Sequence, residues 1–383
     1  MPIRPASDAA LTACEFFAGG GLAGLGLNLE GAGFRTVLAN DIDPAKARAF
    51  RANHPDVPLI EGDVWTLTPE QIPGAPDLCW ASSPCQDVSL AGARGGLQAQ
   101  RSGAFWGFWK LMQALDAEGR GPRIVVIENV IGLLTSGGGA DFVAVCGAMA
   151  EAGYTVGALE IDAALWLPQS RPRLFIVAMR ETEGARRPGP AGPFHSARVI
   201  AAHTRLPEAV KAAWAWWDLA PPPRRNRNLA ALLEPGAPVF KAAETRTLLA
   251  MASPLHRARL EAIRASGERR IGAAFRRVRI ENGRKVQRLE MRFDGLAGCL
   301  RTPSGGSSRQ YVAVVDKGRV ALRRLTGREA ARLMGVDDAY RLPASESAAL
   351  KLMGDAVAVP VVEALTRQLL LPALQDARAG AAA

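Results

Sequence analysis

Residues 12–24, Thr12-Ala13-Cys14-Glu15-Phe16-Phe17-Ala18-Gly19-Gly20-Gly21-Leu22-Ala23-Gly24, join a short apolar run to a glycine cluster and then to a segment of helical spacing. Gly19 to Gly24 satisfies G-x-G-x-x-G, and Asp41 stands at the end of the next predicted strand. Glycines let a backbone turn tightly and approach a ligand, and an acidic side chain about 20 residues further on accepts ribose hydroxyls. This arrangement serves NAD and S-adenosylmethionine alike, and glycines can also do no more than allow close helix packing. The loop therefore predicts a nucleotide-type cofactor and leaves its identity open.

Outward from this loop, strand-like and helix-like segments alternate through residue 180, the pattern of a doubly wound α/β domain with a parallel sheet. Strands are predicted at Thr12–Phe17, Thr36–Asn40, Leu59–Glu61, Asp77–Ala81, Ile124–Glu128, Thr155–Asp162 and Leu174–Met179. Helices are predicted at Leu22–Gly31, Pro44–Asn53, Ala104–Ala117 and Ala140–Ala152. Glu181–Pro193 is rich in Gly, Pro and charge and reads as a linker. The sequence thus predicts a catalytic domain over 1–180, a smaller, mostly irregular or β domain over 181–325, and a segment over 326–383. In the last of these, Ala356–Leu371 is apolar enough to form a helix buried against the first domain.

The chain is 48% hydrophobic and 22% charged, the balance of a globular protein. It has no run of about 18 apolar residues and no apolar signal core at its start, so a cytoplasmic protein without a membrane partner is expected. Its five cysteines, Cys14, Cys79, Cys85, Cys146 and Cys299, are scattered, without a C-x-x-C pair or zinc-finger spacing. Neither a metal nor a disulfide is expected. Between Arg257 and Arg328 there are 19 Lys and Arg against 6 Asp and Glu, an excess larger than the whole chain's net charge of +10. The remainder is slightly acidic, and a basic block on such a chain points to a polyanion.

In a parallel sheet ligands sit outside the carboxyl ends of the strands. Gly19, Asp41 and Asp63 fall at three successive strand ends; the next two end in Ser83-Pro84-Cys85-Gln86 and Glu128-Asn129-Val130. Gln169-Ser170-Arg171-Pro172-Arg173 precedes the last strand of the domain. A thiol and a carboxylate beside a methyl donor suit attack on an electron-poor ring carbon. In this order and spacing the segments resemble the C5-cytosine DNA methyltransferase family of bacterial and phage type. Phe17-Ala18-Gly19-Gly20-Gly21 resembles its cofactor loop, Pro84-Cys85-Gln86 its catalytic loop, Glu128-Asn129-Val130 its cytosine clamp, and residues 169–173 its Q-x-R-x-R motif. Arg324-Leu325-Thr326, Glu329 and Arg332-Leu333-Met334-Gly335 resemble its ninth motif; Gly354-Asp355-Ala356-Val357 with Pro360-Val361 resembles its tenth.

The resemblance implies a Rossmann-like S-adenosylmethionine-dependent methyltransferase domain that flips cytosine out of duplex DNA. Cys85 is then the nucleophile, Glu128 the clamp on N3 and the exocyclic amine, Arg173 the contact to O2, and Arg171 a support for the pocket and the catalytic loop. Phe17 to Gly21, Asp41, Ile42, Asp63, Val64, Pro84, Asp355 and Ala356 are the implied cofactor contacts. Leu90–Gly103, rich in glycine, reads as a lid whose closure carries Gln86, Ser89 and Arg101 toward DNA. Three positions depart from the family pattern: Asp41 where Glu is commoner, Ile42 where an aromatic is frequent, and Asp355 where Asn is usual.

The middle third has no motif, and it holds Arg269, Arg270, Arg276, Arg277, Arg279, Arg284 and Lys285, read as phosphate contacts. Within Leu300–Gln310, Arg301 and Arg309 are the candidates for reading guanine. Trp214, Trp216 and Trp217 read as a packed helix face rather than base-stacking platforms. The implied partner is double-stranded DNA, with association to the nucleoid through it. A monomer and a separately acting cognate restriction endonuclease are expected.

Overall fold

The computed structural model describes residues 10–84, 103–180, 182, 185–302 and 309–374. Cys85, Gln86, Ser89, Arg101 and all of the expected lid except Gly103 lie outside the described residues. The chain divides into two units. The first comprises the chain up to Ile161, Pro172–Pro221 and the chain from Val359; the second comprises Asp162–Arg171 and Pro222–Ala358.

The first unit is built on strands β1 (Thr12–Phe16), β2 (Arg35–Asp41), β3 (Leu59–Glu61), β4 (Leu78–Ala81), β5 (Ile124–Asn129), β6 (Thr155–Asp162) and β7 (Pro172–Met179). Their order is β3-β2-β1-β4-β5-β7-β6, so the winding reverses between β1 and β4, the place where such sheets open a crevice. Strands β1 to β5 pair in parallel. The exception to the parallel expectation is β7, which runs antiparallel to β5. A parallel crossover needs a dozen or more residues, usually a helix, and the link 163–171 is too short for one. The reversal has a consequence for the site: β7 begins at the rim where β5 ends.

Between the strands run α1 (Leu22–Asn28), α2 (Pro44–Asn53), α3 (Ala104–Ala117) and α4 (Ala140–Glu151). Helix α2 shows why such segments start where they do. Asp43 accepts from the Ala45 and Lys46 amides, and Pro44 occupies the first helical position, where no amide hydrogen is needed. Phe105, Phe108, Met112 and Leu115 of α3 and Phe142, Val145 and Met149 of α4 form one buried cluster with Phe16, Cys79, Val125, Ile127 and Ile176 of the sheet. On the alternate strand positions Ala13, Trp80, Val126 and Val177 are also fully buried, so both faces of the sheet are covered.

The first unit continues past residue 180. Strand β8 (Arg186–Arg187) pairs with β9 (Trp216–Trp217), and between them lie α5 (Ala197–His203) and α6 (Glu208–Ala212). Trp214 joins the sheet's buried cluster and bridges to Val156, while the Trp217 indole donates to the Val177 carbonyl at 3.1 Å. The tryptophans are packed, as expected, but Trp216 and Trp217 lie on a strand rather than a helix. These contacts hold residues 185–221 on the first sheet, so the break between units falls at Pro221/Pro222, in the proline tract, whereas the linker composition suggested 180.

The second unit contains α7 (Ala242–Ala250), α8 (Pro254–Ala265) and strands β10 (Arg270–Glu281), β11 (Arg284–Arg292), β12 (Gln310–Asp316) and β13 (Arg319–Arg324), then α9 (Gly327–Leu333) and α10 (Glu346–Asp355). The strands form one antiparallel sheet in the order β11-β10-β12-β13. Asn282-Gly283 and Lys317-Gly318 turn its two hairpins with positive φ throughout, the geometry that two-residue hairpin loops require. This unit is more regular than the sequence suggests, because arginines crowd its strands and leave few apolar positions to mark them. Its core gathers Leu260, Ala274, Leu289, Met291, Tyr311, Ala313, Val315 and Leu322.

The chain then returns to the first unit with α11 (Val359–Leu365), which runs on as a π-helical turn, Thr366–Leu370. A Cβ on Gly26 of α1 would lie 2.5 Å from that of Val362, so glycine allows these two helices to touch. The expected returning helix is present, starting at Val359 rather than Ala356.

Candidate active site

The crevice is framed by the loops leaving β1 and β4. After β1, Phe17 has φ 56, a left-handed conformation uncommon for a bulky side chain and frequent at functional sites. Gly19 and Gly21 follow with φ 58 and 79. Asp41, buried at the end of β2, accepts the Gly19 amide at 2.7 Å and the Asp43 amide at 2.8 Å. It therefore braces the loop, and each carboxylate oxygen keeps a second lone pair for a hydroxyl. Its neighbour Ile42 is 64% exposed, an apolar surface beside the loop. Asp63 uses one oxygen to accept the Trp65 amide at 3.0 Å; Val64 is buried beside it.

Beneath the loop lies a carboxyl that the motif reading did not single out. Glu15 on β1 is buried and accepts the Gly24 amide at 2.9 Å. Burial pushes its pKa up to about 8, against the lowering effect of the Gly24 and Ala23 amides, with the Asp41 charge adding to the rise. On the other side His54 meets the Gly20 carbonyl at 3.2 Å and packs on Phe50. Burial holds its imidazole below the ordinary range, against the effect of the Gly20 contact.

At the β4 end the Ser82 amide donates to the Phe16 carbonyl at 3.2 Å, tying the two rims together. Asn129, at the end of β5, donates from Nδ2 to the Ser83 carbonyl at 3.1 Å and to its hydroxyl at 3.2 Å. Its Oδ1 accepts the Val130 amide at 2.8 Å. Asn129 thus secures the residue before the exposed Pro84. Glu128 pairs across β5–β7 with Phe175, and Arg173 Nε approaches its carboxylate to 3.1 Å. Cofactor-type groups and this acid–base pair therefore share one rim.

Cys14, Cys79 and Cys146 are buried, and burial pushes the thiols of Cys79 and Cys146 well up. A thiol held protonated is a poor nucleophile.

The remaining expected site residues belong to the second unit. Arg171 is 2% exposed, and its guanidinium donates to the carbonyls of Leu300 at 2.8 Å and Gly354 at 3.0 Å, and to that of Ala356. It clamps three carbonyls on two backbone segments, a positioning role, and its side chain is already engaged there. Gln169 acts similarly, donating to the Leu333 carbonyl at 2.6 Å and accepting the Leu300 amide at 3.0 Å. The Asp355 carboxylate, exposed, accepts the Thr302 hydroxyl. Arg301 is exposed and Arg309 half-buried.

The model of one protein family, the C-5 cytosine-specific DNA methylases, matches residues 11–371. The chain belongs to this family. Among its curated members, Type II methyltransferase M.Eco47II of Escherichia coli is 32% identical over 176 residues, 45% of this chain and 40% of that protein. M.HpaII of Haemophilus parainfluenzae is 25% identical over 379 residues, 94% of this chain and 89% of that protein. The chain spans about two fifths of the first curated relatives it matches, 40% and 42% of their lengths. Two solved structures share the fold: S. pombe Dnmt2 methyltransferase, with TM-score 0.59 and 17% identity over 95% of this chain and 99% of that one, and Entamoeba histolytica methyltransferase EhMeth, with TM-score 0.60 and 13% identity over 96% and 99%. Of the positions that depart from the family pattern, Asp41 and Ile42 stand at the rim, and Asp355 accepts the Thr302 hydroxyl.

Proposed function

We propose that this chain transfers the methyl group of S-adenosylmethionine to carbon 5 of cytosine in a specific duplex DNA sequence. The observation that carries this reading is the Glu128–Arg173 pair on the same rim as the glycine loop, with Asn129 holding Ser83 just ahead of Pro84-Cys85. The cofactor fits the residues present. A backbone loop with space above Gly19, the exposed Ile42 face, and carboxylates at two adjacent strand ends suit an adenosine.

S-adenosylmethionine supplies an electrophilic methyl group when bound. A target base must leave the duplex to reach such a rim. The Cys85 thiolate forms a bond to C6 and pushes the ring's electron pair toward C5. Glu128 shares a proton with N3 and accepts from the exocyclic amine, so the negative charge developing at N3 meets a placed donor. Arg173 holds Glu128 and donates to O2. After C5 is methylated, loss of the C5 proton and expulsion of the Cys85 thiolate restore the aromatic ring and the enzyme. The second unit is the proposed target-recognition domain, with Arg301 and Arg309 as its base-reading candidates. The protein would act as a monomer in the cytoplasm, on nucleoid DNA, alongside a separate endonuclease.

The test is incubation with tritiated S-adenosylmethionine and either duplex DNA or tRNA, followed by bisulfite sequencing of the labelled product. Label in duplex DNA at cytosines of one sequence context is expected. Label confined to tRNA, or none, overturns the reading.

A further inference from the structure

Gly19, Gly20 and Gly21 have no side chains with which to hold the cofactor loop in shape, and glycine loses more backbone freedom on ordering than any other residue. The loop's order must come from groups elsewhere. Strand β2 supplies two of them: the Asn40 carbonyl accepts the Ala18 amide at 3.0 Å, and Asp41 accepts that of Gly19. The peptide that joins Gly20 to Gly21 is held at both ends. Its amide donates to the Ala18 carbonyl at 2.8 Å, and its carbonyl meets His54 Nε2 at 3.2 Å. A carbonyl only accepts, so Nε2 carries the hydrogen. Rotating that one peptide plane breaks both contacts.

The sequence around His54 puts it there. Helix α2 ends at Asn53, and Pro55 cannot continue it. The His54 amide still closes on the Phe50 carbonyl at 2.8 Å, while its own φ and ψ, −130 and 61, have left the helix. Phe50 lies four residues earlier on the same helix face, and the two rings pack with centroids 4.7 Å apart. The half-buried imidazole therefore has a buried aromatic ring to rest on while it reaches the loop. A Cβ on Gly21 would lie 2.6 Å from its Cδ2 as well as against Nε2, so the imidazole fills the space that a side chain at 21 would need.

We propose that His54 is a positioning residue for cofactor binding: it latches the Gly20–Gly21 peptide, so that the loop is ordered before S-adenosylmethionine arrives. This rests on the glycine loop being the cradle of that cofactor. Order set beforehand spares the cofactor the cost of imposing it. A loop that is only partly in the competent arrangement weakens apparent affinity in proportion to the fraction that is.

The experiment compares the intact chain with His54→Ala, His54→Gln and His54→Asn. Hydrogen exchange of residues 17–22 is followed by mass spectrometry without cofactor, and S-adenosylmethionine is titrated by calorimetry. The Gln side chain places an amide nitrogen where Nε2 stands, and that of Asn stops one bond short. In His54→Ala the segment should exchange faster and the dissociation constant should rise, each by roughly threefold to tenfold, the contribution of one neutral hydrogen bond. His54→Gln should return both toward the intact values, and His54→Asn should not. Should His54→Ala unfold the chain, the Gln and Asn pair still gives the answer. Unchanged exchange in the variants overturns the proposal. So does faster exchange with cofactor affinity kept, or an Asn that serves as well as Gln. An intact chain that binds no S-adenosylmethionine, yet loses its protection in His54→Ala and regains it in His54→Gln, would reject the proposed cofactor and keep the latch.

Discussion

Arg173 Nε lies 3.1 Å from the Glu128 carboxylate because β7 reverses beside β5, bringing the start of one strand to the end of the other. Both side chains are largely buried, so each holds the other in position. Glu128→Gln should lower the single-turnover rate of methyl transfer about 10²–10³-fold, the scale of losing one aimed transition-state donor. Arg173→Ala should cost less, and the double variant less than the product of the two, since the residues act as a unit. A Glu128→Gln enzyme running at the normal rate would remove Glu128 from the chemistry.

Asn129 supplies the only side chain seen to donate to the Ser83 carbonyl among the described residues. Asn129→Asp keeps an acceptor for the Val130 amide and removes both donors. It should destabilise the protein by about 1–3 kcal/mol in chemical denaturation, the cost of unsatisfied buried acceptors, and lower kcat with cofactor affinity kept. Equal losses in cofactor affinity and kcat would place its effect on the wrong loop.

Gly21 has φ 79, and a Cβ there would lie 2.3 Å from His54 Nε2 and 2.9 Å from the Phe50 ring. Gly21→Ala should weaken S-adenosylmethionine binding by about tenfold or more in calorimetry, since left-handed backbone alone costs an L-residue about 1–2 kcal/mol. Duplex binding without cofactor should be unaffected. Normal cofactor affinity would show that the loop tolerates a side chain and is not the cradle proposed.

Glu15 ties stability to pH. Burial pushes its carboxyl up to about 8 in the folded chain, against an ordinary value of 4.5 when unfolded. Below 4.5 it is protonated in both states and costs nothing; from there to about 8 the unfolded state alone ionises, so folded stability falls as pH rises. Glu15→Gln should flatten the stability profile across that window and raise Tm at pH 8. An unchanged slope would contradict the buried, protonated carboxyl.

The strands and helices around the rim are legible in the sequence because each is short, apolar and ended by a glycine, proline or cap. Pro44–Asn53 and Ala104–Ala117 match residue for residue. The direction of β7 is not, since local periodicity says nothing about a strand's partner; the brevity of 163–171 was the available signal. Arg171 and Arg173, two residues apart in one motif, go to different tasks because the partners of Arg171 lie more than a hundred residues away, at Leu300, Gly354 and Ala356. Glu15 is hidden in the sequence for the opposite reason. Within an apolar strand a single carboxyl reads as a surface position, and only the fold shows the Gly24 amide above it.

Attack by Cys85 on a flipped cytosine is tested most directly by intact-protein mass spectrometry. The chain is incubated with S-adenosylmethionine and a duplex carrying 5-fluorocytosine at the mapped site, where fluorine cannot leave as the C5 proton does. A stable one-to-one protein–DNA adduct is predicted, mapping to the Cys85 peptide and absent from Cys85→Ser. No adduct with the intact chain, or methyl transfer retained by Cys85→Ser, would contradict it.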